Sequence, residues 1–144
     1  MKIRITKEFD FEAAHALDGY NGKCKDIHGH SYHLEMTFIG TPKSDLGLSD
    51  CGMVVDFGDI KKLVNTYIIS NLDHTLMLPG TLSELGIDHQ KPMFERLMMV
   101  NFQPSCENLL IYISEELKKV LPPWVVGRFL SMANELKPNI EVIK

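Results

Sequence analysis

The sequence predicts an α+β domain in which helices cover one face of a sheet. Three observations lead to this fold class. Two stretches near the N-terminus alternate polar and apolar residues as strands do, two later stretches carry capped helical patterns, and strand-like alternation returns near the C-terminus. The 144 residues, 44% of them hydrophobic, suit one globular domain spanning 1–144, with no internal repeat or linker.

The first two strands are predicted to form an antiparallel hairpin. In the first run the apolar residues share odd positions, and His15 continues that parity: Ile3, Ile5, Phe9 and Phe11. A polar loop over 18–26 separates it from a second run, in which these residues fall on one face: His28, His30, Tyr32, Leu34, Met36 and Phe38. The hairpin therefore has a long connecting loop.

Helical patterns follow, each with a candidate cap. Asp56 is the predicted N-cap of a helix that ends near Asn71. Ser105 is the predicted N-cap of a second helix, which Pro122 and Pro123 would stop. A turn-rich loop is expected over 40–52.

The rest of the chain is less regular. Residues 79–103 carry weak periodicity, and no element is predicted there. Alternation from Val125 to Glu135 predicts a strand, and the apolar tail around Ile140 and Val142 predicts a short last strand.

Composition excludes several classes of function. The 19 acidic residues outnumber the 15 basic ones, and no run of Lys or Arg provides a nucleic-acid surface. No apolar run reaches the roughly 18 residues of a membrane span, and the alternating N-terminus is unlike a signal peptide, so a cytoplasmic location is expected. Three cysteines without a C-x-x-C pair fit reduced thiols.

Three of the six histidines are predicted to share one sheet face. His28 and His30 stand two residues apart in one strand, and the partner strand can bring His15 opposite them. Three imidazole ligands with one open position are the arrangement of a catalytic zinc site, so Zn²⁺ is the expected cofactor. A lone histidine is more often an ordinary polar side chain. His33 has the opposite parity and is left out of the metal site.

Cys24 is the candidate reactive thiol. It lies in the polar loop just before the histidine pair, between Lys23 and Lys25, whose positive charge would favour the thiolate. The commoner fate of a cysteine is to pack as a small hydrophobe, which suits Cys51 and Cys106 better than a residue in so polar a loop.

Four further residues have weaker signals. Asp73 and His74 are adjacent, and one carboxylate can orient an imidazole for proton transfer, although adjacent residues need not face each other. Glu107 is explained equally well as a favourable charge in the first turn of a helix. Glu135 falls within an apolar strand pattern, where a carboxylate needs a partner or a ligand.

Six blocks, taken in order over nearly the whole chain, resemble the signature of the 6-pyruvoyl-tetrahydropterin synthase superfamily. They are Phe11–His15, Cys24–Tyr32, Met53–Phe57, Leu72–His74, Pro104–Asn108 and Asn134–Glu135. The Cys-x-x-x-His-x-His block after an upstream His is specific, and the Glu135 block is weaker. The bacterial branch that the sequence is similar to includes 6-carboxy-tetrahydropterin synthase, an enzyme of queuosine (7-deazaguanine) biosynthesis.

The resemblance implies the tunnelling fold, in which ββααββ units with an antiparallel sheet and two helices on one face join into barrels, usually as homohexamers. It implies zinc held by His15, His28 and His30, a catalytic Cys24 and an Asp73–His74 proton relay. It also implies pterin recognition by Glu107 and Glu135. The expected substrate is 7,8-dihydroneopterin triphosphate, cleaved to 6-carboxy-5,6,7,8-tetrahydropterin with release of acetaldehyde and triphosphate.

Two departures from the family pattern stand out. The segment 80–102 is longer than in the shortest bacterial members, and the usual Glu-Thr pair near the C-terminus is Glu135-Leu136 here. The first would reshape the mouth of the site, and the second affects pterin binding.

Four alternatives remain at this point. The 6-pyruvoyl reaction uses nearly the same residues as the 6-carboxy reaction. A cupin is a rival because Gly22, His28, His30 and Glu35 match much of its first metal motif, but its second motif is absent and two capped helices do not suit a jelly roll. A zinc-stapled oligomer without activity leaves Cys24 without a purpose, and a thiol hydrolase leaves the three histidines unexplained.

Overall fold

A computed structural model of the chain describes residues 1–88, 90–121 and 139–143. The strands of its sheet are β1 (Ile3–His15), β2 (His28–Gly40), β3 (Thr75–Pro79), β4 (Leu97–Val100) and β5 (Asn139–Ile143). The helices are α1 (Phe57–Val64), α2 (Ser70–Leu72) and α3 (Cys106–Val120), and a π turn at Asn65–Ile69 joins the first two. The strand order across the sheet is β4-β3-β1-β2-β5.

The predicted hairpin is confirmed over its whole length. β1 and β2 pair antiparallel from Ile3 opposite Gly40 to His15 opposite His28. Burial alternates along both strands because successive side chains point to opposite faces, and the buried face lies under the helices. The loop between the strands joins them at one end of the hairpin, where His15 lies opposite His28.

The sheet is mixed, which corrects part of the expected strand arrangement. β5 joins β2 antiparallel, as expected. β3, however, joins β1 in parallel, with Ala13 opposite Thr75, and β4 joins β3 in parallel. The chain reaches β3 through α1 and α2, and a strand that follows such a helical connection can enter beside β1 in either direction. The expectation of an all-antiparallel sheet was therefore wrong for β3 and β4.

Both predicted helix caps are confirmed. The Asp56 side chain accepts a hydrogen bond from the Gly58 amide at 2.6 Å, and the Ser105 hydroxyl accepts one from the Asn108 amide at 3.4 Å. The first helical segment ends at Leu72, one residue beyond the expected end. Its π turn was not predicted, and Tyr67 in that turn is 48% exposed.

The core lies between the sheet and the apolar stripes of the helices. The buried helical residues that pack on the sheet are Ile60, Val64, Ile68, Leu72, Leu109, Ile113 and Leu117. Burying one such side chain contributes about 1.5–3 kcal/mol, so this layer fixes the helices above the hairpin. Within the part of the chain that the structure describes, no helix has the length and apolar character needed to cross a membrane.

The later elements were only partly predicted. β4 and short 3₁₀ turns occupy the segment for which the sequence predicted no element. β5 confirms the short last strand around Ile140 and Val142. The predicted strand from Val125 to Glu135, and the two prolines before it, lie outside the described residues.

Candidate active site

The three predicted metal ligands converge at one end of the hairpin. His15 ends β1, and His28 and His30 begin β2, so the register of the hairpin places all three on its buried face. The Nε2 atom of His15 lies 3.1 Å from Nε2 of His28 and 3.2 Å from Nε2 of His30. We call these three residues the histidine cluster.

The donor geometry of the histidine cluster fits a single divalent metal ion. A tetrahedral ion with metal–nitrogen bonds of about 2.0–2.1 Å separates its ligand nitrogens by about 3.3 Å, close to the spacing observed. Nδ1–H of His15 donates to the Pro104 carbonyl, and Nδ1–H of His28 donates to the Asp26 carbonyl at 2.7 Å. Because a carbonyl oxygen only accepts, both rings carry their proton on Nδ1 and turn an unprotonated Nε2 towards the centre.

Burial favours the neutral form of His15 and His30. Desolvation lowers the pKa of His15, assisted by the neighbouring His28 and opposed by the Pro104 carbonyl. Desolvation also lowers the pKa of His30, with His15 and His28 adding to the effect. Metal ligation requires the neutral ring, so the shifts favour a ligating state at neutral pH.

His33 points to the opposite face of the sheet, as its parity predicted. Its Nδ1–H donates to Asp10 Oδ1 at 2.6 Å, and this bond raises the pKa of His33. The residue is therefore separate from the histidine cluster.

Cys24 lies in a 3₁₀ turn over Lys23–Lys25 and is half-buried. The carbonyl of Cys24 accepts a hydrogen bond from the Leu17 amide at 2.8 Å, two residues after His15. The carbonyl of Asp26, two residues after Cys24, holds the His28 ring. The turn that carries the thiol is thus tied to both strands of the hairpin next to the histidine cluster.

Asp73 and His74 form a pair in the turn between α2 and β3. Nδ1–H of His74 lies 3.0 Å from Asp73 Oδ2, while Asp73 Oδ1 accepts the Glu12 amide at 2.9 Å. The His74 amide donates to the Glu12 carbonyl at 2.6 Å, with the backbone of His74 in the left-handed region at φ 58°. The Asp73 carboxylate is thus fixed against β1 and orients the imidazole.

Charge and exposure suit this pair to proton transfer. The Glu12 amide, and after it His74, lowers the pKa of Asp73 and keeps it ionised. With Nδ1 committed to the carboxylate, Nε2 of His74 is the nitrogen left to exchange a proton, and the side chain is 73% exposed. A cleft of about 540 Å³ is lined by His30 and His74 together with Glu12, Ser31 and Thr75. One member of the histidine cluster and the exposed imidazole thus border the same space.

Glu107 lies exposed in the first turn of α3. Its own backbone amide and then the Ser105 hydroxyl lower its pKa, so the side chain is a carboxylate held at a helix N-terminus. The same helix start carries Pro104, which binds His15, and this places Glu107 on the element that covers the histidine cluster. Glu135 lies outside the described residues.

Sequence reasoning missed two supporting groups. Glu12 binds the Asp73–His74 turn through its amide and carbonyl, and its carboxylate accepts the Ser31 hydroxyl at 2.8 Å. Glu12 has the opposite parity to His15, which predicts that its side chain lies on the other face of the sheet. Only its place in the first family block, Phe11–His15, indicated a role. The Pro104 carbonyl acts through the backbone, which side-chain patterns do not reveal.

Comparison with known proteins places the chain. The sequence profile described as 6-pyruvoyl tetrahydropterin synthase matches residues 4–132. The chain is 36% identical over 115 residues, 80% of each protein, to a 6-carboxy-5,6,7,8-tetrahydropterin synthase of Rickettsia typhi. It is 29% identical over 143 residues, 98% of this chain and 99% of the relative, to a dihydroneopterin monophosphate aldolase of Pyrococcus furiosus.

A solved structure agrees in fold. The 6-pyruvoyl tetrahydropterin synthase of Caenorhabditis elegans superposes with a TM-score of 0.59 at 25% identity, covering 87% of this chain and 84% of that one. The profile match extends over most of the sequence and includes the histidine cluster, Cys24 and the Asp73–His74 pair. The chain belongs to the 6-pyruvoyl tetrahydropterin synthase family.

Proposed function

We propose that the chain is a zinc-dependent 6-carboxy-5,6,7,8-tetrahydropterin synthase of queuosine (7-deazaguanine) biosynthesis. This lyase would convert 7,8-dihydroneopterin triphosphate and one water molecule to 6-carboxy-5,6,7,8-tetrahydropterin, acetaldehyde and triphosphate. The observation that carries the proposal is the convergence of three Nε2 atoms at 3.1–3.2 Å in a chain whose Rickettsia typhi relative bears that name.

The histidine cluster would hold the zinc ion. When bound, zinc supplies Lewis-acid polarisation of the substrate's side-chain hydroxyls. The chain contributes neutral, pre-oriented ligands, since the Pro104 and Asp26 carbonyls fix two of the rings before the metal arrives.

Two proton-transfer groups complete the proposed chemistry. Sγ of Cys24 would remove a proton from the substrate side chain, and Nε2 of His74 would transfer a proton at a second position. Asp73 supports the second role because it fixes the proton of His74 on Nδ1. The cleft that His30 and His74 both line would receive the substrate side chain.

Pterin recognition is assigned to two carboxylates. Glu107 is ionised and exposed, so it can accept hydrogen bonds from the pterin N–H donors. Glu135 receives the same role from the family resemblance alone.

The expected product is tested by mass spectrometry of what the purified protein makes from dihydroneopterin triphosphate. Acetaldehyde together with 6-carboxy-tetrahydropterin supports the proposal. Release of triphosphate with a 6-pyruvoyl product would instead establish the second candidate, which the family profile and the Caenorhabditis elegans structure favour. A variant with all three cluster histidines changed to Ala is the matched control, and turnover by it would refute the assigned site.

We also propose a homohexamer located in the cytoplasm. β4 and β5 are the two edges of the described sheet, and pairing edges between copies would remove unpaired backbone groups. If sites form between copies, mixing inactive Cys24→Ala and His74→Gln proteins and allowing subunit exchange should restore part of the activity. Hexamers by light scattering with no recovery after confirmed exchange would contradict shared sites.

A further inference from the structure

We propose that Arg96 is a positioning residue for the Asp73–His74 pair. This inference rests on the proton-transfer role proposed above for that pair. Arg96 immediately precedes β4 and lies on the opposite side of the α2–β3 turn from the Glu12 backbone.

The guanidinium group binds both sides of the turn. Its Nη2 donates to the Ser70 carbonyl at 2.7 Å and to the Asn71 carbonyl at 3.5 Å, and it lies 3.4 Å from Thr75 Oγ1. The two carbonyls belong to the last helical turn before Asp73, where carbonyl groups lack helical partners and attract cations. Arg96 thus links the end of the helix to the first residue of β3.

Backbone contacts strengthen this link. The Leu76 amide donates to the Arg96 carbonyl at 3.0 Å, and the Thr75 hydroxyl donates to the Asn71 carbonyl at 2.7 Å. The turn is therefore held by Glu12 on one side and by Arg96 on the other.

The restraint matters because the backbone of His74 has an unfavourable, left-handed conformation. A histidine in the left-handed region is less stable than in the right-handed one, so the turn keeps its shape only while its neighbours hold it. Without the guanidinium, the end of the helix and the start of β3 can separate, and the imidazole would leave the orientation that Asp73 gives it. The charge of Arg96 also contributes to the lowered pKa of Asp73, behind the Glu12 amide and His74.

Because Arg96 lies within the long segment 80–102, the inference also gives that segment a function. That segment folds back to form β4, which pairs with β3 from Leu76 opposite Leu97 to Pro79 opposite Val100. The pairing delivers the residue just before β4 to the turn just before β3. The extra length of the segment, on this inference, supplies a clamp for the proton relay.

The experiment compares Arg96→Gln, Arg96→Lys and the control Arg4→Gln, which removes the same charge from the exposed start of β1. Steady-state rates with dihydroneopterin triphosphate are measured beside zinc content and thermal unfolding. We expect Arg96→Gln to lower kcat by roughly 10- to 100-fold, with KM changed less than about twofold. Zinc content should be unchanged, Arg96→Lys should recover part of kcat, and Arg4→Gln should match the parent.

A double-mutant cycle separates positioning from general destabilisation. In a His74→Gln background, Arg96→Gln should cause no further loss, because its effect passes through the imidazole. Equal losses in both backgrounds, or parental kcat in Arg96→Gln while His74→Gln is impaired, would overturn the inference alone. Parental activity in His74→Gln would instead overturn the proposed relay and the inference with it. If Arg96→Gln does not fold, the same cycle is run with Arg96→Lys.

Discussion

Replacing His74 with Gly should make the protein more stable than replacing it with Ala, while both replacements impair turnover. The two variants lose the same imidazole and the same contact with Asp73. They differ in whether the residue at position 74 has a Cβ, and His74 holds φ 58° in the structure. The comparison therefore isolates the backbone.

The expected difference follows from two opposing terms. For a residue with a Cβ, the left-handed backbone conformation is less stable than the right-handed one by about 1–2 kcal/mol. Gly avoids that cost but loses about 0.5–1 kcal/mol more in conformational entropy on folding. The net expectation is that His74→Gly exceeds His74→Ala in free energy of unfolding by about 0.5–1 kcal/mol. The contact with Asp73 adds little to stability because the His74 side chain is 73% exposed.

Urea denaturation at one fixed protein concentration measures the difference, since subunit association makes stability depend on concentration. Activity is followed in the same preparations, and both variants should lose the contribution of a proton-transfer group, about 100-fold or more. Equal stability of the two variants would mean that the turn does not hold position 74 in the left-handed region. Parental activity in His74→Gly would remove the imidazole from the mechanism.

Three further outcomes are expected. The histidine cluster should bind about one zinc per chain and release it only at a pH below about 6.5, because burial lowers the pKa of His15 and His30. Metal analysis across a pH series measures this release, and the variant with all three cluster histidines changed to Ala is the control. Cys24→Ala should keep zinc and fold but lose most turnover, and an equal loss in Cys51→Ala would show that the wrong thiol was chosen. NMR titration should find the pKa of His33 above its ordinary value, and the Asp10→Asn substitution should lower that pKa. Because the folded-state pKa is raised, the stabilisation by the His33–Asp10 pair is complete below about pH 6.5 and is lost as the pH rises through the folded-state pKa.

The meeting of the three histidines could be predicted because it depends on local pattern. A period of two places His28 and His30 on one face, and a hairpin is the simplest way to bring His15 opposite them. The helix caps Asp56 and Ser105 were equally accessible, since the capping side chain lies within three residues of the amide that it binds. The caps could be predicted because the interacting groups are close in sequence, and the histidines because the strand register places them opposite one another.

The Asp73–His74 pair and its supports depend on contacts that no local pattern encodes. Asp73 meets the Glu12 amide across 61 residues, and the meeting requires β3 to lie beside β1 in parallel. The sequence contains no signal for that direction, and it predicted no element where β4 and Arg96 lie. Adjacency of Asp73 and His74 suggested a pair, but the left-handed backbone that lets them face each other is a property of the fold.

The seam between β1 and β3 therefore sets the distance between the histidine cluster and the Asp73–His74 pair. The histidine cluster belongs to the β1–β2 hairpin, whereas His74 immediately precedes β3, and the two elements are joined by the three residue pairs from Ala13 opposite Thr75 to His15 opposite Met77. A shift of one residue in this short register would move His74 by about 3.3 Å along the cleft that it shares with His30. That distance exceeds the reach of a hydrogen bond, so catalysis would require the seam to be held more firmly than three pairs hold it alone. The hydrogen bonds of Glu12 to the Asp73–His74 turn provide that restraint from the β1 side.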